Sequence, residues 1–146
     1  MIGVLQRVNW AQVSIDGYCT ARIERGLLVL VGIEKDDNAQ KADKLLHKLL
    51  HYRVFPDAEA RMNLSLADIG GGLLIVSQFT LAASTDRGLR PSFSSAMPPA
   101  EAEKLYDYLV SQARAATANV HTGRFGADMK IALENDGPVT FTLRTT

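Results

Sequence analysis

Two nearly unbroken hydrophobic runs stand out in the pattern of apolar and polar positions along the chain. Residues 27–33 and 73–76 contain no charged position and almost no polar one. Since side chains alternate between the two faces of a strand, such runs predict strands that are covered on both sides. The second run ends in Ser77, Gln78 and Thr80, which predicts polar groups at the carboxyl end of a central strand. A ligand site and a strand end that frays into a polar loop both fit this pattern.

Strict alternation predicts further strands near both ends of the chain. Apolar residues alternate through residues 4–8 and 13–15, and Asp16–Gly17 favours a two-residue hairpin turn into a strand over residues 18–23. Near the other end, alternation recurs in residues 129–133 and 139–143. Gly137–Pro138 between these two segments predicts a tight connection between two antiparallel strands.

Two segments have the period of a helix. The apolar stripe of the first consists of Ala42, Leu45, Leu46, Leu49 and Leu50. Asp37 is its predicted N-cap, with Gln40 as the capping-box partner. Pro98–Pro99 suits the first turn of the second helix, in which Tyr106 falls on the apolar stripe. We therefore predict a single α/β domain over residues 1–146, with curved, barrel-like mixed or antiparallel sheets of seven or eight strands and two helices packed outside.

Composition narrows the possible partners. Sixteen basic and sixteen acidic residues cancel, which argues against an extended grip on nucleic acid but allows a local contact with a few phosphates. No apolar run approaches the roughly 20 residues of a membrane helix, and the first residues lack the pattern of a signal peptide. The single cysteine, Cys19, excludes an internal disulfide and fits a reducing compartment. We expect a cytoplasmic protein with no membrane partner.

The histidines offer little for side-chain catalysis or for a metal. His47 and His51 are four residues apart on the first predicted helix, but no glutamate follows His47, so a helix flank is favoured over a metal site. His121 falls in a turn-rich passage, and no serine has the G-x-S-x-G surroundings of a hydrolase nucleophile. What the segment 77–80 does offer is an amide and backbone N–H groups, the parts of an oxyanion hole.

Three longer motifs occur in one chain: Ser-Gln-Phe-Thr-Leu at 77–81, Thr-Gly-Arg-Phe-Gly-Ala-Asp-Met at 122–129 and Asn-Asp-Gly-Pro-Val-Thr at 135–140. With them the chain resembles the bacterial D-aminoacyl-tRNA deacylases from residue 1 to about residue 143. The resemblance implies a homodimeric hydrolase with its active site at the subunit interface and with neither cofactor nor metal. It would cleave the ester between a D-amino acid and the terminal adenosine of tRNA, as chiral proofreading in translation, and glycine mischarged on tRNA is an expected second substrate.

The resemblance also implies roles for particular residues. Gly137 and Pro138, joined by a cis peptide bond in the family, would enter the partner's pocket, where their carbonyls would face the substrate's amino group and exclude an L side chain. Backbone N–H groups in the segment Gln78, Phe79 and Thr80 would hold the oxyanion, with the Thr80 side chain as an alternative nucleophile. Ser77 and Gln78 would shape the adenosine site, Met129 would line the pocket, and Arg7 would brace the Gly137–Pro138 loop. The ribose 2′-hydroxyl of the substrate would help to activate water.

The sequence leaves open the hydrogen bonding of one loop, the residues that contact phosphate, and three alternative functions. Ser84 stands where the family commonly has aspartate, which puts the hydrogen bonding of the following loop in question. Candidate phosphate contacts are the basic residues Arg87, Arg90, Arg124 and Lys130. The alternative functions are a noncatalytic RNA-end binding module, a structural dimer with no dependence on tRNA, and a related deacylase that edits a mischarged L-amino acid.

Overall fold

The computed structural model describes all residues from 1 to 146, and its strands form one large curved sheet and one small hairpin. The elements are β1 (Ile2–Ile15), β2 (Tyr18–Ile23), β3 (Gly26–Gly32), α1 (Ala39–His51), β4 (Phe55–Pro56), β5 (Met62–Leu64), α2 (Leu66–Ile69), β6 (Gly72–Ser77), a 3₁₀ turn (Phe79–Ala82), α3 (Pro99–Ala116), β7 (Val120–Thr122) and β8 (Lys130–Arg144).

The long strand β1 organises the sheet. Its residues 2–8 pair with β3 and its residues 11–15 pair with β2, both antiparallel, while β8 pairs along its opposite edge. β6 then adds parallel to β3, and β7 parallel to β6. β2 also lies against β6 and β7, at the other end of the strand order, so the sheet curls towards a barrel. This confirms the predicted fold class, to which the structure adds a third helix, the four-residue α2.

The central strands β3 and β6 are buried on both faces, as their apolar runs predict. In β6, Leu73 and Ile75 belong to a core cluster shared with α1 and α3, whereas Leu74 and Val76 belong to a second cluster on the opposite face of the sheet. All four side chains are at most 2% exposed. The two clusters hold β6 in place from both sides, and its polar carboxyl end therefore has a rigid support.

The predicted connection at Gly137–Pro138 is wrong. Residues 130–134 of β8 pair with residues 14–10 of β1, and residues 140–144 pair with residues 6–2, in the same antiparallel sense. β8 is therefore one strand from which residues 136–139 project as a bulge before the pairing resumes. Alternation on either side of a turn residue looks the same for a bulged strand and for a hairpin, and only the pairing partner distinguishes them. The Gly137–Pro138 peptide bond is cis.

The predicted helix cap at Asp37 is also wrong by one residue. Asn38 caps α1, because its side-chain oxygen accepts a hydrogen bond from the N–H of Lys41 at 3.0 Å. Asp37 is buried instead and accepts hydrogen bonds from the N–H of Glu34 and from the N-terminal ammonium group. None of the three helices combines the length and the hydrophobicity that a membrane crossing demands.

Candidate active site

The carboxyl end of β6 turns directly into the 3₁₀ turn Phe79–Ala82. The N–H of Gln78 donates to the carbonyl of Val31 on β3 at 2.7 Å, which fixes the point where the chain leaves the sheet. The first N–H groups of a helical turn have no acceptor within that turn, and here they belong to Phe79 and Thr80. The side-chain amide of Gln78 donates to the Thr80 hydroxyl at 3.0 Å. Two backbone donors are thus presented side by side at a supported strand end.

A cavity of about 590 Å³ opens beside this turn. Its lining residues are Val31, Ile33, Ser77, Gln78, Phe79, Thr80, Phe93, Ala96, Met97, Pro98, Pro99, Ala102, Phe125, Gly126, Ala127 and Met129. The structure therefore brings together five of the residues named from the sequence, namely Ser77, Gln78, Phe79, Thr80 and Met129. A mostly apolar cavity with a few polar groups at one end is the usual form of a small-molecule site.

An exposed aromatic pair lies at the mouth of the cavity. The Phe79 side chain is 62% exposed and that of Phe93 is 41% exposed, and their ring centroids are 5.1 Å apart. Phe93 follows the loop after the 3₁₀ turn, in a segment with neither helical nor strand period, so sequence reasoning gave it no role. Exposed aromatic faces beside a polar site suit the packing of a planar ligand group such as a nucleobase.

The Gly137–Pro138 bulge lies elsewhere on the molecule. Both residues are exposed and neither lines the cavity. Arg7, on β1, is close to the bulge: its Nε donates to the carbonyl of Asp136 at 3.0 Å and lies 3.2 Å from the Asp136 carboxylate. Its Nη1 donates to the carbonyl of Val54 at 2.7 Å, so one guanidinium links the bulge to the segment after α1. Within a single chain, then, the bulge and the cavity are separate.

Asn135 closes the base of the bulge, a role that sequence reasoning missed. Its Oδ1 accepts from the N–H of Val139 at 2.7 Å, and its Nδ2 donates to the Thr140 hydroxyl at 2.8 Å. A side chain that bonds a backbone N–H several residues ahead is a familiar device of asparagine in turns, and the Asn-Asp-Gly-Pro sequence was the available signal. Together, Arg7 and Asn135 hold both ends of the bulge while its tip stays exposed.

Titratable groups are absent from the cavity lining. No histidine, aspartate or glutamate contributes to it. His47 and His51 lie against each other on the exposed side of α1, with ring centroids 4.7 Å apart, and His121 lies beside Asn119. The chemistry available from this lining is therefore hydrogen bonding to developing charge rather than proton transfer by a carboxylate or an imidazole.

The loop after the 3₁₀ turn is closed by its own backbone. Ser84 and Ser92 exchange two backbone hydrogen bonds of 2.8 and 2.9 Å, and the Ser84 hydroxyl donates to the Asp86 carboxylate at 3.3 Å. Ser84 therefore takes part in the hydrogen bonding of the loop through its backbone and its hydroxyl. Arg87 and Arg90 lie exposed on this loop.

Tyr106 of α3 ties this helix to β6, the strand that leads into the 3₁₀ turn, because its hydroxyl donates to the carbonyl of Ile75 at 2.8 Å. Its ring also packs 5.9 Å from that of Phe125, a lining residue. Burial, with a smaller contribution from Asp107, raises the pKa of Tyr106 well above its ordinary value. The folded protein therefore holds this proton more tightly than the unfolded chain does.

We expect Tyr106→Phe to lower the free energy of unfolding by about 1 kcal/mol at neutral pH, since the Ile75 carbonyl keeps its bond from the Gly123 N–H. Because the pKa is raised on folding, Tyr106 should make the wild type lose up to about 1.4 kcal/mol per pH unit above about pH 10. The variant should lack that loss. Urea unfolding at neutral and alkaline pH measures both effects, with Tyr18→Phe at an exposed position as the control. An equally steep alkaline loss in Tyr106→Phe would contradict the assignment.

Proteins of one family match this chain over nearly its whole length. A sequence model of the D-Tyr-tRNA(Tyr) deacylase family matches residues 4–144. The D-aminoacyl-tRNA deacylase of Pseudomonas fluorescens (strain Pf0-1) is 63% identical over 145 residues, which cover 99% of this chain and 100% of that protein. The protein of the same name from Stutzerimonas stutzeri (strain A1501) is 61% identical over 145 residues, with the same coverage.

Two solved structures resemble this chain over nearly its whole length. The structure of the c-Myc DNA Unwinding Element Binding Protein superposes with a TM-score of 0.96 at 36% identity, covering 100% of this chain and 99% of that one. A probable eukaryotic D-amino acid tRNA deacylase superposes with a TM-score of 0.84 over 97% of each chain. The latter is 19% identical, and its likeness is one of fold alone.

Proposed function

The chain belongs to the D-Tyr-tRNA(Tyr) deacylase family and is a D-aminoacyl-tRNA deacylase, a hydrolase, and from this we propose how its residues divide the work. The cavity beside the 3₁₀ turn takes the aminoacyl ester at the 3′ end of tRNA, and the exposed bulge selects its chirality. The observation that carries the proposal is the pair of backbone donors at Phe79 and Thr80, in a cavity lined by no acid or histidine.

Hydrolysis then proceeds by stabilisation of charge. Water adds to the ester carbonyl, and the oxygen that becomes negative is held by the N–H groups of Phe79 and Thr80. The ribose 2′-hydroxyl of the substrate assists in activating the water, and the bond to the 3′ oxygen then breaks, releasing the D-amino acid and free tRNA. Ser77 and Gln78 shape the adenosine site, and Met129 lines the side of the cavity. No metal and no cofactor takes part in this scheme.

Chiral selection requires a second copy of the chain. Since Gly137 and Pro138 are exposed and lie outside the cavity of their own chain, we place them in the cavity of a partner in a homodimer. Their main-chain carbonyls face the amino group of the substrate and leave no room for an L side chain. Glycine has no side chain to exclude, so glycyl-tRNA is a second substrate.

The remaining parts of the proposal concern the whole chain. Residues 1–146 act as one deacylase domain, which the family match over residues 4–144 supports. The protein works in the cytoplasm on the acceptor end of aminoacyl-tRNA, and its zero net charge suits a local contact with RNA rather than an extended one.

The direct test is hydrolysis of D-tyrosyl-tRNA and L-tyrosyl-tRNA by the purified protein with a chelator present. We expect rapid loss of the D ester alone. Survival of both esters while the charged tRNA stays bound would instead support a noncatalytic RNA-end binding module, and loss of the L ester would support an editing enzyme for L-amino acids.

Thr80→Ala should keep most of the activity, within about tenfold of the wild-type kcat, because the variant retains the backbone N–H of residue 80. It loses the hydroxyl that accepts from the Gln78 amide, an exposed contact of small energetic value. Single-turnover hydrolysis of D-tyrosyl-tRNA measures the effect, and size-exclusion chromatography shows whether the variant assembles as the wild type does. Near-complete loss in a folded variant that assembles normally would instead make Thr80 a nucleophile.

A further inference from the structure

A second cavity, of about 460 Å³, lies between α1 and the carboxyl end of β8. We call it the α1 groove and define it by its lining residues, none of which is hydrophobic: Asp43, Lys44, His47, Lys48, Arg144, Thr145 and Thr146. Its lining is polar and charged, whereas the lining of the cavity beside the 3₁₀ turn is mostly hydrophobic. An open groove lined by polar and mostly basic side chains suits a charged and hydrated ligand.

One of the three cationic side chains of the groove has no partner, and each of the other two has one. Lys48 makes no side-chain hydrogen bond or ion pair, whereas the Lys44 ammonium group donates to an oxygen of the terminal carboxyl group, on Thr146, at 3.3 Å. Arg144 lies 3.6 Å from the Glu34 carboxylate. The one carboxylate side chain in the lining, Asp43, accepts a hydrogen bond from the Tyr108 hydroxyl at 2.9 Å. With Lys44, Lys48 and Arg144 against Asp43 and the terminal carboxyl group, the lining keeps an excess of positive charge, and Lys48 is available to bind an anion.

The groove lies at the same end of the sheet as the ester-binding cavity. Arg144 pairs with Ile2, and Ile2 pairs with Gly32 at the end of β3. Val31 and Ile33, on either side of Gly32, both line the cavity. Glu34, the partner of Arg144, also forms a backbone bridge with Ala96 in the cavity wall. A ligand that extends out of the cavity can therefore reach the groove across this short stretch of backbone.

We propose that the α1 groove binds phosphodiester groups of the RNA whose 3′ end occupies the cavity, with Lys44 and Lys48 as the main contacts and Arg144 beside them. This inference rests on the proposed function, and it assigns the RNA contact to α1 rather than to the arginines of the loop after the 3₁₀ turn. Lysine binds phosphate as a mobile point charge, so these contacts contribute affinity that falls with salt and that does not depend on RNA sequence.

The test is the double variant Lys44→Gln/Lys48→Gln in the full-length protein. We expect its KM for D-tyrosyl-tRNA to rise about tenfold at low salt with kcat unchanged, and its Kd for uncharged tRNA to rise in parallel. The slope of log affinity against log salt should become shallower by about 0.7 to 0.9 for each lost contact. The matched control is Lys104→Gln/Arg114→Gln, which removes the same charge from exposed positions of α3 and should leave KM and the salt slope as in the wild type.

A short substrate separates the possible failures. D-tyrosyl-adenosine has no RNA chain, so the loss in the α1 variant should be confined to the tRNA substrate, and equal losses on both would overturn the groove assignment. Wild-type kinetics and wild-type salt dependence in the α1 variant would overturn it too, while leaving the deacylase function intact. Calorimetry with inorganic phosphate covers one further outcome. If phosphate binds in the groove but the Kd for tRNA is the same in the α1 variant as in the wild type, the groove binds free phosphate and the RNA assignment is wrong. Failure of the wild type to hydrolyse either substrate would refute the proposed function instead. The Kd for uncharged tRNA, compared between the wild type and the α1 variant, would still show whether the groove binds RNA.

Discussion

Replacing Gly137 with alanine should lower the rate of D-tyrosyl-tRNA hydrolysis at least about a hundredfold while the chain still folds. Gly137 has a φ of +136°, a conformation that residues with a side chain rarely adopt. A Cβ atom built there would lie 2.7 Å from Cγ2 of Val139, 3.0 Å from the Val139 nitrogen and 3.3 Å from an Arg7 Nη atom. The bulge must therefore shift, and Arg7 with it, which displaces the carbonyls that we assign to chiral selection.

The matched control for this variant is Gly17→Ala. Gly17 also has a positive φ, +82°, but it lies in the turn between β1 and β2, and nothing comes within 4 Å of its added Cβ. Both variants should lose about 1 to 2 kcal/mol of stability from backbone strain. Only Gly137→Ala should lose activity or discrimination between D- and L-tyrosyl-tRNA. A Gly137→Ala protein with the wild-type rate and the wild-type D-to-L ratio would remove the bulge from the mechanism.

The central strands were predictable because burial on both faces leaves a direct mark in the sequence. The runs at 27–33 and 73–76 match β3 and β6, and the stripe from Ala42 to Leu50 matches the buried face of α1. The bulge in β8 was not predictable in this way. Residues 129–133 and 139–143 alternate as strands do, and nothing local shows that both pair with the same strand, β1.

The candidate site likewise has a part that was predictable from the sequence and a part that was not. Residues 77–80 were identified because they continue a strand that could be predicted, so their position at its polar end followed. The opposite wall, with Phe93 and the segment 96–99, reaches the cavity through isolated backbone bridges such as Glu34 with Ala96 and Ser84 with Ser92. Bridges of this kind join distant segments that have no period, so a single sequence carries no signal for them. The α1 groove was hidden for a related reason, because Arg144 meets Lys44 only after β8 has paired with β1.

Substituting proline for Phe79 should reduce kcat for D-tyrosyl-tRNA by about a hundredfold to a thousandfold, the usual cost of losing one oxyanion donor. Proline lacks the N–H that we assign to the oxyanion, and the local backbone can accept it. Phe79 is the first residue of the 3₁₀ turn, where proline is well tolerated, and Gln78 before it is extended, with φ −144° and ψ 92°. The variant should therefore fold and bind tRNA while the chemical step slows.

Phe79→Ala is the control that separates the donor from the ring. It keeps the N–H but removes the exposed ring whose centroid lies 5.1 Å from that of Phe93, so its kcat should stay within about tenfold of the wild type while its KM rises. Comparing kcat in single-turnover hydrolysis for the two variants isolates the contribution of one backbone hydrogen. Equal losses in both would assign the effect to the aromatic ring. A Phe79→Pro enzyme with the wild-type kcat would exclude the Phe79 N–H from the oxyanion site. The second donor beside Thr80 would then be another backbone N–H group of the cavity lining.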